Sequence, residues 1–340
     1  MDATSAISIS PARPTLGQRL WLLAARREYG LAIVLALIIA SVTIKNPDFL
    51  SGENVRDILI HCTQPLIVSC GVMLVIVTGE IDISVGSALA LLTAVLGWLA
   101  SPTHYHWPAW LAILATLLLG AILGLINGLL VTLVRIPSII VTLGMLTMLR
   151  GLTVILMKPG DITDMPYSVR FFGVGGILGI STSLWITAIV VIATALLITF
   201  TPLGRRIYAV GSNAHAARLS GLSVTRVKIF AFMYTGFLVG IATIVTQLAT
   251  VTSGLGQGFE LLVVTCVVVG AVSISGGVGT MPGVVLGVIL LQIQSTVLIF
   301  LKLGTNAANW NQAIQGALIL IAVLVDQIAS RRGKKAGGGH

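Results

Sequence analysis

The sequence predicts an all-α, polytopic membrane protein of about ten transmembrane helices, with a weak internal repeat and both termini cytoplasmic. Three observations predict it. Of 340 residues, 56% are hydrophobic and only 9% charged, where a soluble domain carries roughly 25% charged residues. Apolar runs of about 20 residues, the length that spans a bilayer, recur along the chain. The lysines and arginines gather in short segments between those runs, which is how topology is set in membrane proteins. A soluble fold of this composition could not cover its apolar surface. Its 37 glycines suit close helix packing in lipid.

Three regions follow in order. Residues 1–28 form a polar, basic N-terminal segment expected in the cytoplasm, with Arg13, Arg19, Arg26 and Arg27. Residues 29–327 form the membrane domain, and 328–340 a basic cytoplasmic tail. No small-residue cleavage site closes the first apolar run, so it is expected to be a retained span. The ten spans fall near 29–45, 60–78, 84–100, 109–134, 138–157, 182–202, 228–250, 259–275, 282–302 and 310–327. Only Gly79-Glu80-Ile81-Asp82-Ile83 separates the second from the third. It reads either as a tight turn or as a break inside a re-entrant element. With the N-terminus inside, the inner segments hold fourteen of the twenty lysines and arginines. An even number of spans returns the C-terminus to the same side.

The largest inner loop, 203–228, carries Arg205, Arg206, Arg218, Arg226 and Lys228 and no acid. Asn213 is a helix-capping residue type. Helix formers follow it, and Gly221 supplies a stop. A short helix outside the membrane is expected here. It reads equally as a solvated loop held inside by its charges or as a docking element. A faint repeat links Gly79–Gly86 (GEIDISVG) with Gly270–Gly277 (GAVSISGG), each followed by an apolar span containing glycine. Internal repeats with broken helices at matching places are common in transporters.

Polar groups in spans are costly and mark function by default. Glu80, Asp82, Ser84, Asn127, Thr142, Arg150 and Glu260 are the candidates for a translocation path or a helix break. Each has a plainer role open to it. Glu80 and Asp82 could cap the helix that starts at Ser84. Asn127 could join two helices. Arg150 could snorkel to the outer interface, and Glu260 could lie at the water boundary. Asp326, near Arg331, reads as a marker of the cytoplasmic interface.

Several functions are excluded. No relay of Asp, Glu and His crosses the spans, since His61, His104, His106, His215 and His340 fall at ends or loops. No arginine ladder and no G-x-x-x-x-G-K-[ST] loop occurs, and Gly276-Gly277-Val278-Gly279 lacks the required lysine. Cys62, Cys70 and Cys266 have no metal-ligand spacing. No catalytic residue, metal or cofactor is expected, and the basic segments do not form a nucleic-acid patch. The physical reading is a pore or carrier without its own energy source, with the basic inner helix placed to receive work from a partner.

The chain resembles the permease subunits of bacterial sugar ABC importers, the branch serving ribose, xylose, arabinose, rhamnose and autoinducer-2. GEIDISVGS (79–87), Asn127-Gly128, RIPSIIVTLG (135–144), Arg150-Gly151, TPLGRRIYAVG (201–211), NAHAARLSG (213–221), GQGFE (256–260) and GAVSISGGVG (270–279) match its segments in order. Ala271 stands where glycine is usual. The resemblance covers about residues 45–327. It implies two ABC-type ATP-binding subunits beneath, a second permease copy or paralogue, and a periplasmic sugar-binding protein, all at a bacterial inner membrane. By resemblance Asn213, Ala214, Ala217, Arg218, Leu219, Ser220 and Gly221 would form an ATPase-coupling helix. Gln292, Gln294, Ser295, Asn309, Trp310, Asn311 and Gln315 look most like rhamnose and autoinducer-2 permeases. The rival readings are a stand-alone carrier or channel for a small neutral solute, and a membrane enzyme.

Overall fold

The computed structural model describes residues 27–158, 160–246, 250–300 and 307–337. The N-terminal arginines up to Arg26 lie outside these residues, as do the side chains of Arg27, Asp326, Arg331, Arg332, Lys334 and Lys335. Almost everything described is helical. The elements are α1 (Arg27–Lys45), α2 (Gly52–Val77), α3 (Val85–Ala100), α4 (Ala109–Thr132), α5 (Ser138–Leu156), α6 (Tyr167–Val174), α7 (Thr182–Phe200), α8 (Pro202–Ser212), α9 (Ala214–Leu219), α10 (Val224–Val245), α11 (Phe259–Val269), α12 (Met281–Phe300) and α13 (Ala307–Gly337). A two-residue hairpin pairs Gly176–Ile177 with Ile180–Ser181.

Among the described residues seven helices are long and apolar enough to cross a membrane, and three shorter apolar helices complete the expected set of ten. One expected span is overlong. The apolar run 259–275 is helical only to Val269, because Gly270 ends the helix and Ala271 turns the backbone to a φ of +67°. The span expected at 228–250 starts earlier and ends earlier, at Val224–Val245. The inner loop holds two helices, not one. α8 begins where Thr201 accepts a hydrogen bond from the Gly204 N–H and Pro202 takes the first helical position, which its fixed φ suits.

α2 is the centre of the bundle. From Cys62 to Val77 nearly every side chain is buried, as expected of a helix apolar on all sides. Helices α7, α10, α11 and α12 pack around it. The outer helices divide into two faces. On α4, Leu114, Leu118, Ile122 and Ile126 recur every fourth residue and are exposed, forming the face that meets lipid. The opposite face carries Thr116, Gly120, Gly124 and Asn127, all buried. Two backbones meet there. A Cβ on Gly124 would sit 2.2 Å from the Phe232 carbonyl oxygen, and one on Gly236 would sit 2.1 Å from that of Gly120. Small residues spaced by four let α4 and α10 touch without side chains between them.

Two stretches of irregular backbone run inside the bundle. The first is the break at 78–84, whose Asp82 and Ser84 are 2% exposed. The second is the stretch before α11. Val251 pairs with Ile162 in both directions, at 3.1 and 2.9 Å, near Gly97 of α3. By Gly256 the chain has reached Gly86, at the other end of α3. The segment therefore runs alongside α3 as a series of turns and continues as α11. At the end of α3 away from the first break, Ser101 donates to Asp164 at 2.8 Å and Trp98 Nε1 donates to the Leu156 carbonyl at 3.0 Å. The Ser101 hydroxyl, with Thr103 beside it, holds the Asp164 carboxyl below its usual range.

Two substitutions test this packing. Gly124→Ala is expected to lower thermal stability in detergent by about 1–3 kcal/mol, the ordinary cost of overpacking. Gly144→Ala, with nothing within 4 Å of the new Cβ, is expected to leave stability unchanged. Equal melting temperatures for the two variants would refute the close α4–α10 contact.

Candidate functional site: a carboxamide-lined cavity and two backbone breaks

The first break is held from within and by three neighbouring helices. Asp82 Oδ1 accepts from the Ser84 N–H at 2.9 Å and from the Ser84 hydroxyl at 2.6 Å. Asn127 of α4 donates to Ser84 Oγ at 3.0 Å. The Ile81 N–H donates to Ser138 Oγ of α5 at 3.2 Å, and Thr142 bonds back to the Ser138 carbonyl at 2.9 Å. Glu80 forms an ion pair with Lys228 at the start of α10. So Asp82 shapes the entry to α3, whereas Glu80 does not cap it and instead ties the break to another helix. Asn127 joins α4 to the break, as one of its two readings had it, and its Oδ1 is buried without a partner.

Arg150 and Glu260 flank the second irregular stretch. Arg150 does not snorkel outward. It is half-buried, and its Nη1 donates to the Leu255 carbonyl at 2.7 Å. Glu260 opens α11 and is partly buried. Its Oε2 is buried without a partner and lies 2.0 Å from where a Cβ on Gly86 would be. Substitution at Gly86 would have to displace that carboxylate.

None of these seven residues lines the cavity that the second irregular stretch helps to wall. That cavity, of about 350 Å³, is walled by Gln64 of α2, Leu89 of α3, Leu255 to Phe259 and Leu262 at the start of α11, and Asn311, Gln312 and Gln315 of α13. Five carboxamides face it, with no charged side chain. Gln64 is fixed by donating to Thr246 at 2.8 Å. Asn311 Oδ1 accepts from Gln294 at 3.0 Å, Ser295 at 3.2 Å and Gln315 at 3.2 Å. In the sequence Asn311, Gln315 and Gln257, the last within GQGFE, are marks of resemblance only, and Gln64 and Gln312 carry no reading. The signal that could have found Gln64 is an amide inside an expected membrane span, at 60–78.

At the basic end, α9 stands where the short inner helix was expected. Asn213 Oδ1 accepts from the Ala216 N–H at 2.9 Å, Ala217 is buried, and Ser220 bonds back to Ala216. Gly221 turns the chain at a φ of +81°. Arg218 is exposed, and Leu219 is 77% exposed. Arg218 also borders a cleft of about 290 Å³ with Glu80, Arg135 and Lys228. The inner-loop basic residues therefore gather at one end of the bundle, as the charge pattern requires.

A family model described as the permease component of the branched-chain amino acid transport system matches residues 54–323. The ribose import permease of Escherichia coli strain K12 is 35% identical over 320 residues, covering 91% of this chain and 97% of the relative. The L-arabinose ABC transporter permease of Azospirillum brasilense is 34% identical, covering 94% and 92%. The autoinducer 2 import system permease of Yersinia pseudotuberculosis is 33% identical, covering 88% and 84%. No solved structure gives a significant match. With a family match over most of its length and relatives of this identity and coverage, the chain belongs to the family of ABC importer permeases that includes the ribose, arabinose and autoinducer-2 permeases.

Proposed function

We propose that this permease forms the path by which an ATP-driven importer moves a neutral, polyhydroxylated solute of monosaccharide size across the inner membrane. The observation that carries the solute class is the cavity wall, with five carboxamides and no charge. A carboxamide offers both donors and an acceptor. A hydroxyl does the same, so a ring bearing several hydroxyls can be matched on every side. A phosphorylated or acidic solute would lack a counter-charge there, and buried charge without a partner is costly. Phe259 and Leu262 supply an apolar face for the carbon skeleton. The likeness to ribose, arabinose and autoinducer-2 permeases supports the same class. Rhamnose and autoinducer-2 remain the solutes of first choice from the resemblance of 290–316.

In this reading two ATP-binding subunits dock beneath a pair of permeases, and a periplasmic binding protein delivers the solute. Residues 213–221 form the docking element. Leu219 and Arg218 offer an apolar contact and a charge on an exposed helical turn, and the left-handed Gly221 sets the turn's exit. Residues 1–28 and 328–340 flank the membrane domain on the cytoplasmic side. Glu80, Asp82, Ser84, Asn127 and Thr142 act as a bracing network, and Arg150 braces the re-entrant stretch, instead of touching the solute.

The test is reconstitution in liposomes with ATPase subunits and binding protein. Gly221→Val, which forces a β-branched residue into the left-handed region at a cost of about 1–3 kcal/mol, is expected to abolish uptake and loosen the ATPase. Uptake by the permease alone, without ATPase or ATP, would establish the channel or carrier reading in its place. At the other end, Arg150→Leu removes the donor to the Leu255 carbonyl. It is expected to cost about 1–3 kcal/mol of stability, the price of an unpaired buried acceptor, and to reduce uptake while the ATPase stays bound. Unchanged stability and uptake would show that the re-entrant stretch does not depend on this bond.

A further inference from the structure

We propose that Gly211 and Tyr208 of α8 form a mechanical joint that binds two backbone breaks, a first at 78–84 before α3 and a second at 270–280 after α11, to the α9 segment, so that they move together. The proposal rests on the reading of α9 as the ATPase-docking element and names the parts through which its motion would reach the cavity.

The two breaks touch. The Gly277 N–H of the second donates to the Val77 carbonyl at the start of the first, at 2.8 Å. Gly211 is pressed against that bond. A Cβ on it would lie 1.7 Å from Val77 O and 2.6 Å from Gly277 N. Three residues earlier on α8, the Tyr208 hydroxyl donates to the Gly279 carbonyl at 2.7 Å, fixing the far side of the second break. Lys228, just beyond α9, holds Glu80 in the first. One short stretch of chain thus grips both breaks at separate points.

That stretch is tied together as a unit. Asn213 alone separates α8 from α9. Its N–H donates to the Ala209 carbonyl of α8 at 3.2 Å, while its side chain caps α9. The breaks in turn control the cavity. The first opens into α3, whose Leu89 lines the wall, and the second closes α11, whose Phe259 and Leu262 line it. A helix of eleven residues is about 16 Å long, so α11 carries displacement from the joint to the cavity along a rigid element. Packed backbone contacts of this kind switch between arrangements and do not stretch.

The experiment uses the complete importer, reconstituted with its ATPase subunits and binding protein. Co-purification, ATP hydrolysis and solute uptake are measured separately. Gly211→Ala inserts a methyl at the joint. Tyr208→Phe removes one hydroxyl and keeps the ring, so it preserves the fold if the bulkier change does not. Both variants are expected to retain the ATPase and its hydrolysis. Solute moved per ATP is expected to fall about tenfold for Gly211→Ala and less for Tyr208→Phe, within the range of coupling between distant sites. A wild-type ratio in assembled Tyr208→Phe and Gly211→Ala complexes overturns the joint, as does a parallel fall in hydrolysis and uptake. Failure of the unaltered chain to bind any ATPase overturns the docking reading instead.

Discussion

The constraint on which the structure depends is that a backbone N–H or carbonyl at membrane depth must find a partner within the protein. A helix meets it without help. The stretch from Val251 to Gly258 does not, because it is a run of turns where a helix would be self-sufficient. It survives because Val251 pairs with Ile162 on both sides and Arg150 donates to the Leu255 carbonyl. An arginine in a span is costly unless it is used, and here its use is to satisfy backbone. The irregular segment in turn makes the cavity possible, since Leu255 to Phe259 form part of its wall. A continuous helix in that place would fill the space with side chains.

Charge is distributed accordingly. The cavity wall is amide and apolar, while Glu80, Arg135, Arg218 and Lys228 meet at the basic end. A charge facing the cavity would need a permanent counter-charge or a bound ion of opposite sign, and either would hold back a neutral solute. At the basic end the balance differs. The Glu80–Lys228 pair has side chains only 15% and 17% exposed, respectively. Breaking a shielded pair by losing one partner costs more than the intact pair contributes, so the pair fixes register between the first break and α10 more than it adds stability.

Much of the architecture was legible in the sequence, because apolar length is nearly a direct measurement of a span. The ten runs all correspond to helices. What hydropathy could not see was direction of backbone. Residues 259–275 are uniformly apolar, yet Gly270 and Ala271 end α11 after Val269. The helix α8 was hidden for the opposite reason. It is amphipathic, with Ile207 and Val210 buried and Arg205 and Arg206 exposed, and a search for apolar runs passes over it even though Thr201-Pro202 is a helix-start signal. The polar residues of the first break were legible as a group, since ionisable and amide groups in spans are rare. The cavity was not. Gln64, Gln257 and Asn311 come from three distant stretches, and only the folded chain brings them to one wall.

The weak repeat acquires a physical meaning from where its halves lie. Gly79–Gly86 and Gly270–Gly277 are not merely similar turns, for the fold brings the two breaks to one point and joins them by the Gly277–Val77 hydrogen bond. Glycine is required there on steric grounds, because Gly211, Gly276 and Gly277 leave no room for a Cβ against one another or against Val77 and Ser212. Side chains at such a contact would separate the backbones and let each break relax alone. Without them, displacement of one backbone is displacement of the other. Two half-sequences that descend from one pattern would tend to present matching surfaces to each other, and a contact built from backbone alone uses that match most fully. The same device recurs between α4 and α10, where Gly120, Gly124 and Gly236 replace side-chain packing by backbone contact. Lipid gives no hydrophobic drive to hold helices together. Close backbone approach is what remains, and it makes the bundle stiff enough for a push at one end to be felt at the other.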